Sequence, residues 1–223
     1  MPPVIELRDV WKTYRMSGVE VHALRGLSLT VEQGEFLSLR GPSGSGKSTA
    51  MHLIGCLDLP SRGKVLLKGK DIAQLPESSL ARIRGKTIGF VFQQFNLIPT
   101  LSALDNVCLP MLFQGVSREK REQRGRSLLE RMSLSDRLRH LPAELSGGQL
   151  QRVAIARALA NDPEVILADE PTGNLDSATG KSVLELIGNL HREDGKTIIL
   201  VTHDQEIARY AKREEYILDG RLR

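Results

Sequence analysis

The sequence predicts an α/β protein: an alternating core with a β-rich N-terminal part and an inserted α-helical subdomain. Three observations predict it. A glycine-rich loop at residues 41–46 stands between a strand pattern and a helix pattern. Two continuous apolar runs, residues 165–168 and 197–201, read as strands buried on both faces, as parallel strands do. Between the loop and the first of these runs, residues 102–160 carry little strand signal.

Taken in order, residues 4–10 alternate apolar and polar side chains like an exposed-edge strand. Residues 28–31 and 35–39 read as two further strands, joined by a turn at Gln33-Gly34. The glycine loop follows, then a helix over 47–56 and short strands at 65–67 and 87–92. Residues 117–132 (SREKREQRGRSLLERM) are charged and mostly helix-forming, with Gly125 as the weak point. Residues 148–160 and 177–192 read as helices, and Asp219-Gly220 as a late turn. The helical insertion thus falls between the glycine loop and the run at 165–168.

The bulk composition fits this reading. The chain has 223 residues, 40% hydrophobic and 26% charged, which suits one large soluble domain or a domain with an insertion. A net charge of +4 is too mild to point to a partner. Cys56 and Cys108 form no CxxC or zinc spacing and read as free thiols in a reducing compartment. The N-terminal MPPVIELRDV lacks the pattern of a signal peptide, and no apolar run is long enough to span a bilayer. Any membrane-spanning part is expected from other chains.

The strongest chemical signal is Gly41-Pro42-Ser43-Gly44-Ser45-Gly46-Lys47-Ser48. It fits G-x-x-x-x-G-K-[ST] after a strand and before a helix, and predicts a P-loop NTPase core. The glycines let successive N–H groups turn toward phosphate oxygens, and the helix N-terminus adds positive potential there. Lys47 can reach the β- and γ-phosphates, and the Ser48 hydroxyl can hold Mg²⁺. Thr49 is counted with the nucleotide-binding set. The apolar run at 165–168 ends in Asp169-Glu170. Two acids there are costly without a cationic partner. Mg²⁺ is the natural partner for Asp169, which leaves Glu170 beyond the metal, able to polarise an attacking water. A third signal is Leu145-Ser146-Gly147-Gly148-Gln149 at the start of a helix. Ser146 can cap that helix, and the glycines expose N–H groups at its positive end. One triphosphate hardly needs two such cradles in one chain, but two chains facing head to tail could use one from each.

Together these strings resemble the nucleotide-binding domain of ABC transporters, over nearly the whole chain. LSGGQ followed by QRVAIARAL, between the phosphate loop and ILADEP, carries the resemblance. It implies one cassette domain over 1–223, with residues 95–160 as a helical subdomain in a RecA-like core. It implies that Tyr14 stacks on adenine, and that Gln93 touches Mg²⁺ and senses the γ-phosphate, with Gln94 its adjacent competitor. It implies that Asp176 crosses a dimer interface while also capping the helix from Ser177, and that His203 contacts the γ-phosphate. Lys47, Glu170 and His203 are then the catalytic set, Ser48, Gln93 and Asp169 the metal set, and ATP and Mg²⁺ the cofactors. The implied partners are a second copy of the chain, in an ATP-dependent homodimer, and integral membrane permease subunits. No nucleic-acid partner is implied, and the chain is expected on the cytoplasmic face of the membrane.

HLIGCLD, QQFNLIPTLSALDNV and ILADEPTGNLD are similar to the ATPases of the lipoprotein-release and macrolide-export group, a look shared with cell-division ATPases. The alternative, a soluble cassette ATPase acting on ribosomes or DNA, would normally carry two cassettes or a long coiled coil, and neither fits this length. The apolar residues Leu97, Ile98 and Leu101 look exposed, which suggests a groove over residues 95–113 for a short helix of the membrane subunit.

Overall fold

The computed structural model describes residues 3–16 and 19–223. Its strands are β1 (Ile5–Met16), β2 (Val19–Val31), β3 (Phe36–Arg40), β4 (Arg62–Leu67), β5 (Lys70–Asp71), β6 (Ile88–Phe92), β7 (Val165–Asp169), β8 (Thr197–Thr202), β9 (Arg213–Leu218) and β10 (Arg221–Leu222). Its α-helices are α1 (Lys47–Ile54), α2 (Glu77–Lys86), α3 (Ala103–Phe113), α4 (Arg118–Arg131), α5 (Gly147–Ala158), α6 (Ser177–Arg192) and α7 (Gln205–Ala208). They build two sheets. One is antiparallel, in the order β2-β1-β4-β5; the other runs β10-β9-β3-β8-β7-β6 and is parallel except at β10.

The apolar runs at β7 and β8 are interior strands of the second sheet, buried along nearly their whole length. Their side chains serve two cores in turn. Val165, Leu167, Ile199 and Val201 face a core shared with α1 and the antiparallel sheet. Ile166, Ala168, Ile198 and Leu200 face a core shared with α3, α4, α5 and α6. The parallel sheet is therefore a wall with apolar packing on both sides, and the carboxyl ends of its strands form one rim. Ligands of open α/β sheets bind outside such a rim.

Two expectations are corrected here. Residues 4–10 do not form an edge strand: β1 runs to Met16 and is flanked by β2 and β4. Its alternation reports burial of one face only, with Ile5, Leu7 and Val10 inside and Arg8 and Asp9 outside. A bulge between Leu7 and Val10, with Asp9 at φ 46°, breaks the pattern there. The strand expected at 28–31 begins at Val19; residues Val19 to Ala23 alternate apolar and polar but are mostly exposed, and Ala23-Leu24 and Gly26 break the alternation before it resumes at Leu27. Helix α2 buries only Leu80, so it left little periodic trace.

Gly125, the expected weak point of α4, is buried. A Cβ there would stand 2.8 Å from Leu104 Cδ1 and 2.9 Å from Cys108 Sγ. Its lost helix propensity is exchanged for close packing of α4 on α3.

Candidate functional site

The rim receives the phosphate loop from β3. Two of its glycines are dictated by close approach. A Cβ on Gly41 would collide with the Ile217 carbonyl of β9, and one on Gly46, at φ 106°, would stand 2.5 Å from the Ala23 carbonyl of β2. The loop is thus clasped between the two sheets. Lys47 opens α1 and is only 7% exposed. Its Nζ donates to the Gly41 carbonyl at 2.8 Å and the Pro42 carbonyl at 2.9 Å. Burial holds its pKa below the ordinary lysine value, while Glu170 and Asp169 pull the other way.

Opposite the loop, β7 ends in Asp169 and Glu170. The Asp169 carboxyl is held above the ordinary value, first by burial and then by the Glu170 charge. His52, Lys47 and Ser48 oppose that shift. Asp169 Oδ1 is buried with no hydrogen-bond partner. Glu170 leaves the ladder in a left-handed conformation, φ 46°, although its N–H still donates to the Val201 carbonyl at 2.9 Å. Its Oε1 lies 2.7 Å from Nδ1 of His203, which follows β8. A carboxylate only accepts, so the imidazole Nδ1–H is the donor.

Gln93 follows β6. Its side chain lies against Gly173, where a Cβ would stand 2.6 Å from Nε2, and its carbonyl accepts from Asn174 Nδ2 at 2.9 Å. A cavity of about 740 Å³ is lined by Val21, His22 and Ala23 on one side, by Pro42, Ser43, Gly44 and Gly46 to Thr49, and by Gln93, Asp169, Glu170 and His203. Gln94 is outside that lining. The β2 residues were not expected at the site: the alternation of Val19 to Ala23 marks a strand and says nothing of a ligand.

Other expected site residues stand apart. Ser146 caps α5 in a reciprocal box: its Oγ accepts from Gln149 N–H at 3.3 Å, and Gln149 Oε1 accepts from Ser146 N–H at 2.9 Å. Gly148 packs where a Cβ would collide with Thr179 Cγ2, and Gly147 where one would stand 3.3 Å from Leu175 Cδ2. Asp176 caps α6, its Oδ1 accepting from Thr179 N–H at 3.0 Å. The structure therefore brings Ser146, Gly147 and Gly148 beside the Asp176 turn, and neither group lines the phosphate-loop cavity. Tyr14, on β1, is also outside the lining. Its hydroxyl donates to Asp58 Oδ2 at 3.0 Å, and Lys12 bonds the other carboxylate oxygen at 2.6 Å, with its ammonium 5.0 Å from the Tyr14 ring centre. Asp58 and Lys12 belong to no motif, and only the fold joins positions this distant.

A family model described as ABC transporter matches residues 24–173. The chain belongs to the ABC transporter family. It is an ATP-binding, ATP-hydrolysing cassette of that family. The cassette is 54% identical over 222 residues to an ABC transporter ATP-binding protein of Thermotoga maritima, covering 100% of this chain and 94% of that protein. A solved dimeric structure of the ATP-binding cassette MJ0796 of Methanocaldococcus jannaschii, in a post-hydrolysis state bound to ADP and Pi, has a TM-score of 0.91. Its identity is 48%, with 98% of this chain and 96% of that one covered. The macrolide export ATP-binding/permease protein MacB 2 of Aeromonas hydrophila is 52% identical over 220 residues, but the cassette spans only 34% of its length. Among the described residues, no helix of this ABC cassette is long and apolar enough to cross a membrane.

Proposed function

We propose that two copies of this chain close head to tail over ATP and Mg²⁺ and drive integral membrane permease subunits from the cytoplasmic face of the membrane. The transport system is of the lipoprotein-release or macrolide/peptide-export type. The observation that carries this reading is the separation of two phosphate-binding surfaces. The phosphate loop and its acids line one cavity, while Ser146, Gly147 and Gly148 lie outside it beside Asp176. A second chain turned head to tail brings its Ser146 surface to the first chain's γ-phosphate. The similar cassette whose solved structure is a dimer bound to ADP and Pi supports pairing of two such chains. Light scattering of the Glu170→Gln variant with ATP tests it, as argued in the Discussion.

Within each site, the loop amides and Lys47 bind the β- and γ-phosphates. The orphaned Asp169 oxygen, the Ser48 hydroxyl and the Gln93 side chain form a hard, oxygen-rich set that fits Mg²⁺. When bound, Mg²⁺ neutralises phosphate charge. Glu170, steadied by His203, orients the attacking water and accepts its proton. Asp176 reaches across the interface, and Gln149 fixes the Ser146 cap.

Tyr14 is assigned to adenine, with its hydroxyl tied to Asp58. Tyr14→Ala should weaken ATP binding by about tenfold, the loss of one stacked aromatic face, while Tyr14→Trp or Phe stays within about threefold. Equilibrium ATP binding checks this; a Phe variant as weak as Ala would mean that the Asp58 bond, not stacking, sets affinity.

Residues 95–160 are assigned to the helical subdomain that meets the permease. Of the apolar residues expected to line the groove, Leu97 packs into the second core, whereas Ile98 is 38% exposed. Instead Leu57, Phe90, Phe92, Leu109, Pro110 and Phe113 line a groove of about 710 Å³ between α2 and α3, with Phe113 77% exposed. With Leu57 and Leu112 exposed as well, this apolar patch favours a partner surface. A cysteine at Phe113 should cross-link to a cytoplasmic helix of the permease in assembled transporter. Cross-links appearing only from the β2-β1-β4-β5 sheet would place the permease elsewhere.

A further inference from the structure

Helix α1 opens on the phosphate loop, and the segment that leaves its far end is strapped to β1. Past Ile54 the chain turns through Cys56, a left-handed residue at φ 55°, and meets β1 over residues 58–61. Ser61 N–H donates to the Trp11 carbonyl at 2.8 Å, and Ser61 Oγ accepts from Thr13 N–H at 3.0 Å. Beside these straps sits a charged clasp. Asp58 Oδ1 accepts from Lys12 Nζ at 2.6 Å and from Leu59 N–H at 2.7 Å, while Oδ2 accepts from the Tyr14 hydroxyl at 3.0 Å. Lys12 Nζ donates again, to the Leu59 carbonyl at 2.8 Å. Burial pushes the Asp58 carboxyl up, but its bonds from Lys12, Leu59 N–H and Tyr14 together hold it below the ordinary carboxylate value.

An exposed ion pair contributes little. This one differs in geometry. The Lys12 side chain is only 12% exposed, and its ammonium lies over the Tyr14 ring as well as on the carboxylate and the carbonyl. One cation thus fixes a strand, a turn and an aromatic face together. The clasp stands beside the nucleotide cavity without lining it. Val21, which pairs with Tyr14 across the β1-β2 ladder, does line the cavity, and so does Thr49, whose hydroxyl acts on the Tyr14 phenol. Lys47 begins α1 and Asp58 follows its end, so a single rigid helix sets the span between the phosphate loop and the tyrosine.

We propose that Lys12 and Asp58 are positioning residues that hold the Tyr14 ring at a fixed distance from the phosphate loop, so that the base end of the site is formed before nucleotide arrives. This rests on the assignment of Tyr14 to adenine. A preformed base contact strengthens every adenine nucleotide by the same factor and does nothing for phosphates alone. Loss of the Tyr14 hydroxyl is tolerated because Lys12 still holds the ring. Loss of Lys12 releases it.

Lys12→Met on the full chain tests this, since it keeps the aliphatic stem and loses the ammonium. It should weaken equilibrium binding of ATP and of ADP by the same factor, about fivefold, and leave inorganic tripolyphosphate within about twofold. KM for ATP should rise by about fivefold with kcat within about twofold, as for an interaction made equally in ground and transition states. In a Tyr14→Ala background the same substitution should cost less than about twofold. If Lys12→Met does not fold, Asp58→Asn carries the same comparisons: the amide keeps an acceptor for Tyr14 and removes the charge that anchors Lys12. Tripolyphosphate weakened as much as ATP, a full cost in the Tyr14→Ala background, or unaltered ATP binding in the variant read overturns the positioning and leaves the Tyr14 role standing. A Tyr14→Ala chain that binds ATP as the unaltered chain does overturns the adenine assignment, and the positioning with it.

Discussion

Glu170→Gln should lower ATP turnover by about 10²- to 10⁴-fold, the range for loss of a general base, while ATP still binds. With ATP and Mg²⁺ the same variant should become a stable dimer; in ADP it should stay monomeric. Two effects add. The amide cannot take a proton from water, so the bound triphosphate persists. Exchange of carboxylate for amide also removes a negative charge from a cavity that already holds Asp169 with an unpartnered oxygen. Adding Ser146→Arg should abolish the dimer, because the longer side chain fills the partner's phosphate site. Ser146 also caps α5, and loss of that cap costs about 1 kcal/mol. Ser146→Ala is the control: it gives up the cap without adding bulk and should still dimerise. Size-exclusion chromatography with light scattering reads every state. A double variant with Arg that still dimerises would remove Ser146 from the interface. A Glu170→Gln chain that stays monomeric at saturating ATP would count against the sandwich.

Lys47→Ala should bring turnover down by about 10²-fold or more, since a charge aimed at the transferring phosphoryl group is lost. The structure adds a second consequence. The lysine is nearly buried and supplies the donors to the Gly41 and Pro42 carbonyls. Its removal leaves those carbonyls short of a partner, at a cost of about 1–3 kcal/mol in stability. Lys47→Arg separates the two effects, because it keeps donors for the loop but misplaces the charge. Turnover and thermal unfolding on each variant check this, and near-normal turnover in Lys47→Ala would end the assignment of its role.

The parts of the fold that were legible in the sequence share one property: their cause is local. The middles of β7 and β8, residues 165–168 and 198–201, are continuously apolar because the sheet has packing on both sides, and α6 matches its expected bounds because Asp176 caps it and one face is buried. The phosphate loop and Asp169-Glu170 are short strings because each is the end of a single strand delivered to one rim. What was not legible depends on partners far along the chain. The Tyr14 bond to Asp58 spans 44 positions and the Arg157 bond to Phe95 spans 62. The half of β2 that lines the cavity alternates apolar and polar residues from Val19 to Ala23, but that rhythm marks only a strand and not the cavity it reaches. Lys47 was expected to reach the β- and γ-phosphates; that its ammonium also bonds the Gly41 and Pro42 carbonyls of its own loop depends on the loop's three-dimensional path, which no spacing of glycines specifies.

The left-handed backbone at Glu170 has a consequence for how the chain would change under selection. Glutamate has no intrinsic liking for that conformation, whereas glycine and asparagine accept it readily. Screening variants for heat resistance alone would therefore favour replacing this acid, and the survivors would be sturdier and inert. On the role proposed for Glu170, glutamate is kept there only while turnover is rewarded, so this position would report whether a lineage still works as an engine.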